Sequence, residues 1–170
     1  MYKLINAEEI ILIAFEDKNF SEEYIQDETI LECQEINLPG TIGRELYEEL
    51  QTQSSQGGSI YTAENKLLVD NYLKKAIAYF VKAKLYPLMV AKLMNAGVIT
   101  HRDQEDTQAS SAINIASAIN ATVASAEFWL RAAIHFMEQE NQINNYPLYH
   151  DFIRKNTNNE INTFSSWINL

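Results

Sequence analysis

Two long helix-forming segments, residues 62–94 and 111–142, constrain the fold of this chain more than any other feature. In both segments apolar residues recur at spacings of three and four, which is typical of one face of a helix. Residues 95–110 between them are mostly polar or β-branched and exceed what a simple turn requires. The pattern therefore predicts an all-α bundle of about five helices, in which a projecting loop or β-like arm joins the two long ones.

The predicted arm, at about residues 95–110, is the first candidate for binding a partner. It contains a glycine followed by three β-branched residues of the kind that strands favour. Loops longer than the usual helix connection tend to be functional or disordered. We predict partner binding by these arm residues: Gly97, Val98, Ile99, Thr100, His101 and Arg102. The sequence leaves open whether the arm pairs within its own chain, with a neighbouring subunit or with a further component.

Three shorter helices are predicted before the long ones: Ala7 to about Phe15, Glu22 or Asp27 to Asn37, and about Ile42 to Thr52. Asn6 and Thr62 are suitable caps for the first and the fourth helix. Pro39 followed by Gly40 should end the second helix, because proline cannot continue the hydrogen-bond ladder. Pro87 should kink or break the fourth helix near Leu85.

The C-terminal tail, residues 156–170, is the second candidate for partner binding, after a predicted helical domain at residues 1–155. The tail begins with a polar hinge, and its later part is more apolar than solvated tails usually are. The apolar side chains proposed to bind are Ile161, Phe164, Trp167, Ile168 and Leu170. We expect them to dock either on their own domain or on a partner.

The charge of the chain is placed unevenly. Residues 1–50 hold 13 acidic and 3 basic residues, which account for the whole net charge of −10. Such a surface repels phosphate backbones, so specific DNA binding is not expected there. Lysines dominate the polar positions of residues 62–94. This basic helix could complement the acidic third within one chain or between subunits, and the sequence does not decide between them.

No catalytic or metal-binding constellation is visible in the sequence, so we expect no enzyme activity and no cofactor. The three histidines are far apart, with His135 expected in the core or at its boundary and His150 at the surface. Cys33 is the only cysteine and is expected to be buried. A small hydrolase that uses Glu28, Glu32 and Glu35, which share a helix face, is the least favoured reading. No apolar run reaches the roughly 18 residues of a membrane span.

The order of these segments resembles a known family of virion proteins. Short acidic helices precede Leu38-Pro-Gly-Thr-Ile-Gly-Arg-Glu-Leu-Tyr47, a long tyrosine-rich helix follows, and Asn95-Ala-Gly-Val-Ile-Thr-His-Arg102 comes next. Over most of residues 1–155 this order resembles the head-to-tail connector adaptors, or neck ring proteins, of tailed bacteriophages. Among these it looks most like the ring proteins of crAss-like phages.

The resemblance implies a structural role in the neck of the virion, after assembly in the host bacterial cytoplasm. Members of this family form twelve-subunit rings beneath the portal protein, extend the DNA channel and give later neck or tail proteins a docking surface. The tail would contact the portal, the arm would reach neighbouring components, and DNA would pass without sequence-specific binding. The alternative is a soluble helical regulatory module that binds a basic partner protein through the acidic residues 1–50.

Overall fold

The computed structural model describes residues 2–15, 20–55, 61–95, 106–139, 142 and 144–156, with only the backbone described at 92–95 and 106–114. Its helices are α1 (Ala7–Ala14), α2 (Asp27–Asn37), α3 (Pro39–Ile42), α4 (Arg44–Ser55), α5 (Ala63–Leu68), α6 (Lys74–Asn95), α7 (Asp106–Met137) and α8 (residues 147–156). A 3₁₀ turn (Glu22–Tyr24) precedes α2, and a π-helical turn (Val69–Leu73) joins α5 to α6. No strand occurs in these described ranges, and the predicted all-α fold is confirmed.

The predicted caps of the first and fourth helices are both present. Asn6 Oδ1 accepts from the Glu9 backbone N–H at 2.8 Å, and Glu9 Oε2 accepts from the Asn6 backbone N–H at 3.1 Å. This reciprocal pair is a full capping box, which satisfies two backbone donors at the start of α1. Thr62 Oγ1 accepts from the Asn65 backbone N–H at 3.1 Å and begins α5 in the same way.

Gly43 divides the helix that was predicted to run from Ile42 to Thr52. Its φ of 89° and ψ of 142° lie in a backbone region that is essentially restricted to glycine. α3 therefore ends before Gly43 and α4 starts after it. Pro39 ends α2 as predicted, but it also occupies the first turn of α3, where its missing N–H costs no intrahelical hydrogen bond.

The two long helices differ from the predictions at Pro87 and at their adjoining ends. α6 is helical through Pro87, so the helix does not break near Leu85, and of the two predicted outcomes the kink stays a prediction. A proline removes one backbone hydrogen bond, and α6 packs along α7, which holds the helix together around it. Asn95 belongs to α6 and residues 106–110 belong to α7, so the predicted arm narrows to residues 96–105, outside the described residues.

The core surrounds the middle of the long helix formed by α5, the π-helical turn and α6. α1, α2 and α7 all pack on α6. Residues 2–5 run across α2 and α4, and Leu4 and Ile5 are buried. The buried Gln34 side chain accepts from the Leu4 backbone N–H at 2.8 Å and donates to the Tyr2 carbonyl at 3.2 Å. These bonds satisfy polar backbone groups that burial would otherwise leave without a partner.

We expect Gly43→Ala to lower the free energy of unfolding by at least about 1–3 kcal/mol, because the positive φ disfavours any side chain. A Cβ at this position would also lie 2.9 Å from Cβ and Cγ of Phe152 in α8. Gly40→Ala is the matched control, because a Cβ there meets nothing within 4 Å and alanine favours the helical backbone of α3. Urea unfolding should separate the two variants, and equal midpoints would contradict this role of Gly43.

Candidate functional site

The two predicted binding segments lie outside the described residues, but the elements that flank them are described. This holds for the arm residues Gly97, Val98, Ile99, Thr100, His101 and Arg102 and for the tail residues Ile161, Phe164, Trp167, Ile168 and Leu170. The arm lies between the end of α6 at Asn95 and the start of α7 at Asp106. The tail follows the described part of α8, which extends to Asn156. The candidate site is therefore built from the surfaces around these attachment points.

α6 and α7 form an antiparallel hairpin. The rings of Tyr72 and Phe136 stack with centroids 5.1 Å apart. Tyr72 lies in the π-helical turn just before α6, and about one turn further along, in α6, the Lys75 ammonium lies 4.1 Å from the centroid of the Trp129 ring. Since α7 residue numbers fall as α6 numbers rise, the two helices run in opposite directions. The free end of the hairpin is the end that carries the arm.

This hairpin continues past the last buried side chains of the core. Of the described side chains of α6, none after Leu85 is buried, and of those of α7 none before Ala126 is buried. Residues 86–95 alone would extend α6 by about 15 Å at the usual helical rise. The free end of the hairpin is thus helical, and its described side chains are half-buried or exposed. Such a pair of helices can hold a loop away from the rest of the domain.

An open apolar groove of about 280 Å³ lies where α2 meets the α6/α7 hairpin. The side chains that line it are Cys33, Ile36, Asn37, Phe80, Ala83, Lys84, Ile119 and Val123. Ile36 is 68 % exposed at its edge, while Cys33 is buried. Burial raises the pKa of the Cys33 thiol to about 11, so the thiol stays protonated at neutral pH. The groove presents an apolar surface and no reactive thiolate.

The basic helix pairs with the acidic third inside the same chain. Lys74 Nζ lies 2.6 Å from Glu9 Oε1 in α1 and 2.8 Å from Asp70 Oδ1. Lys84 forms an ion pair with Glu32 in α2. The sequence left open whether this complementarity was internal or between subunits, and these contacts make it internal at both lysines.

Hydrogen bonds and neighbouring charges outweigh the effect of burial on the pKa values of Lys74 and Asp70. Burial alone favours the neutral amine, but hydrogen bonds to Asp70 and Glu9 and the charges of both carboxylates raise the pKa of Lys74. Burial likewise opposes ionisation of Asp70, yet the hydrogen bonds and charges of Lys74 and Lys66 lower its pKa. Both groups are therefore charged across the neutral range.

The acidic side chains considered for catalysis do not form an acid–base pair. Glu32 is paired with Lys84, and Glu35 Oε1 lies 2.5 Å from Arg44 Nη1. Glu28, from the same helix, is exposed. Among the residues that the structure describes, no group of three or more His, Cys, Asp or Glu side chains could hold a metal ion.

Several side chains of α7 and α8 differ from their expected environments. The bulky apolar side chains of the second half of α7 favour core positions by their composition, but Phe128 among them is 62 % exposed. His135 was also expected in the core or at its boundary, yet it is exposed. His150 was expected at the surface but is half-buried, and a ring nitrogen lies 3.2 Å from the Met137 carbonyl. These three environments depend on which side of α7 packs against α6 and α8. The periodicity of the sequence alone does not identify that side.

The groove was missed in the sequence because its residues come from three helices. Ile36 sits among polar residues of α2, and Ile119 and Val123 lie in the part of α7 that is rich in small side chains. The one sequence feature that these three residues share is that each is a large apolar residue among polar or small neighbours. That signal is weak, because exposed single apolar residues are ordinary on protein surfaces.

Lys74→Met should lower the free energy of unfolding by about 1 kcal/mol, because the ion pairs that it removes are only partly buried. The ordinary pKa of an aspartate side chain is 3.8, and that of Asp70 is lower in the folded protein. At a pH near 3.8 the folded state therefore binds fewer protons than the unfolded state. The stabilisation that Asp70 gives to the folded state is thus present above pH 3.8, and it is lost as the pH falls through the pKa of Asp70 in the folded protein.

Urea unfolding of the native protein and Lys74→Met from about pH 7 to about pH 3 measures this difference. The matched control is Lys66→Met, whose side chain is 64 % exposed and lies 3.4 Å from Asp70. It should cost less than about 0.5 kcal/mol. A Lys74→Met difference that stays constant to the lowest pH would contradict the role of Asp70.

Comparison with known proteins gives one match, at the level of a family. No curated protein and no solved structure matches the chain. Within the described ranges, no helix has both the length and the apolar character needed to cross a membrane. A family model described as "Family of unknown function (DUF6712)" matches residues 38–159, from just before α3 to just after α8. Because this match covers more than half of the 170 residues, the chain belongs to the DUF6712 family.

Proposed function

We propose that the chain is a structural adaptor of a bacteriophage neck, which forms a homo-oligomeric ring between the portal and the tail. The observation that carries this proposal is the α6/α7 hairpin, which continues past the buried core towards the arm. A loop at the free end of two packed helices is held at a distance from its own domain and can reach a neighbouring component. The sequence resemblance assigns the arm this same role.

Ring formation requires two different surfaces on each subunit that meet head to tail. The acidic third and the basic helix were the first candidates, but Lys74 and Lys84 are paired within the chain. We therefore assign the contacts between subunits to the arm and to the exposed side of α7 around Phe128. The portal contact is assigned to the tail. The role is structural, without enzymatic activity or a cofactor, and its site is the virion neck.

Part of the acidic surface remains for the DNA channel in this proposal. Of the described acidic side chains in residues 2–50, those that are exposed and have no ion-pair partner among the described residues are Glu8, Glu22, Glu23, Glu28 and Glu48. Acidic groups on a channel wall repel phosphates and allow DNA to pass without binding. The proposal is compatible with a channel that is extended by a ring of these subunits.

The alternative of a regulatory module that binds a basic protein receives less support. It relies on free acidic side chains in residues 1–50. Several of these are already in ion pairs within the chain, namely Glu9, Asp27, Glu32, Glu35 and Glu45. A basic partner would have to compete with these internal contacts, so the acidic third offers it less free charge than the sequence suggests.

Co-expression with the portal protein encoded in the same genome tests the neck proposal. We expect native mass spectrometry and electron microscopy to show a ring of this chain attached to the portal. Deletion of residues 160–170 should abolish that attachment and leave helices α1 to α8 folded, because none of the described residues is removed. Only monomeric protein in the presence of assembled portal would contradict the proposal.

Replacement of Val98, Ile99 and Thr100 by serine is the matched variant for the second segment. These substitutions keep the length of the arm and remove its β-branched side chains, so contacts between subunits or with later neck proteins should weaken. Portal binding through the tail should remain. If both variants lose the same contact, the separate roles assigned to arm and tail are wrong.

A further inference from the structure

We propose that the groove between α2 and the α6/α7 hairpin is the docking site for the tail of the same chain. The occupant is the segment that follows α8, residues 157–170, which enters the groove through Phe164 and Trp167. This inference concerns the free protein and does not depend on the proposed neck function. It is carried by the chemistry of the groove, by the position of the end of α8 and by the composition of the tail.

The groove is built to receive apolar side chains and offers little to a polar ligand. Asn37 Nδ2 already donates to the Cys33 carbonyl at 2.7 Å, and Lys84 is paired with Glu32. The remaining lining is aliphatic or aromatic. The apolar lining of this open groove gives few hydrogen bonds to the water that covers it. Replacing this water by apolar side chains is favourable.

The end of α8 lies close to the end of α2 that lines the groove. A Cβ on Gly43 would touch Phe152 of α8 at 2.9 Å. Thr41, two residues earlier, donates its hydroxyl to the Asn37 carbonyl at 2.9 Å. Because Thr41 is one helical turn from Asn37, a path on the order of 15–20 Å joins Phe152 to the groove.

An exposed ion pair connects the described end of α8 to α4. Lys155 Nζ lies 3.0 Å from Glu45 Oε1, and Arg44 beside it pairs with Glu35, which adjoins Ile36 of the groove. At about 100° per residue, Glu35 lies roughly 160° around α2 from the groove residue Cys33. The chain therefore leaves the described part of the structure beside the other face of α2, and the tail has to pass the end of α2 to reach the groove.

The tail is long enough to cover this path, and its composition matches the groove. From Asn156, an extended chain reaches about 27 Å at Phe164 and about 36 Å at Trp167. Residues 157–170 contain one charged residue, Glu160, and five large apolar ones. Attachment to the same domain also gives the tail an effective concentration on the order of millimolar at the groove. When the protein concentration is below this effective concentration, the groove of each chain is therefore occupied by the tail of the same chain in preference to the tail of a second copy.

The fluorescence of Trp167 in the full chain tests the proposal. Trp129→Phe leaves Trp167 as the only tryptophan, since the chain has two. If about nine chains in ten hold the tail in the groove, acrylamide should quench Trp167 roughly tenfold less in the native protein than in urea. An unprotected Trp167 in the native protein, quenched as strongly as in urea, would overturn the proposal.

A charge at the groove should release the tail. In the same background, Ile36→Glu places a carboxylate at the edge of the groove, where an apolar tail would desolvate it, so quenching of Trp167 should rise severalfold. Leu12→Glu is the matched control, because Leu12 is 75 % exposed on α1 and does not line the groove. Both positions are exposed, so both variants should keep the native helical content. Equal quenching in the two variants would refute docking in this groove.

Dilution distinguishes the chain's own tail from that of a second copy. Protection of Trp167 should persist at monomer mass from about 100 µM to about 1 µM, because docking within one chain does not depend on concentration. Protection that disappears as a dimer dissociates would identify the occupant as the tail of another copy and would reject the proposal. Tests for ring formation with the portal have no bearing on this result, so the two proposals can fail separately.

Discussion

Burial of one continuous helix, formed by α5, the π-helical turn and α6, is the constraint on which the rest of the fold depends. Ala76, Ile77 and Ala78 are consecutive and all fully buried. Consecutive positions point about 100° apart, so the helix has to be covered on several sides at this level. α1, α2 and α7 supply that cover. The remaining short helices and the capped turns place these three partners around it.

The ion pairs around this helix determine which charged side chains are free to contact a partner. Lys74 and Lys84 project from the central helix and meet carboxylates of α1 and α2. The two acidic helices are thereby held on a basic helix by charge as well as by apolar burial. Two carboxylates of the acidic third are thus neutralised by the basic helix, and the exposed acidic side chains without an ion-pair partner among the described residues remain for a partner or a channel.

The hairpin and the groove give the two proposals different places in the molecule. The neck proposal uses the free end of α6 and α7, where the buried core has ended and the arm is attached. The docking proposal uses the point where α2 covers the hairpin incompletely. A tail that covers the groove in the free protein and meets a portal in the assembled particle would connect the two, since release of the tail would expose apolar surface only during assembly.

Local chemistry in the sequence determined the helical class of the protein, the caps at Asn6 and Thr62 and the burial of Cys33. Each depends on neighbouring residues or on strong periodicity, which a single sequence displays. The break at Gly43, the continuity of α6 through Pro87 and the exposure of Phe128 were decided by tertiary structure. A backbone angle, the support of a packed neighbour and the side that a helix presents to the core all depend on contacts between residues far apart in the chain. The groove has the same origin, because its lining comes together only when α2, α6 and α7 pack.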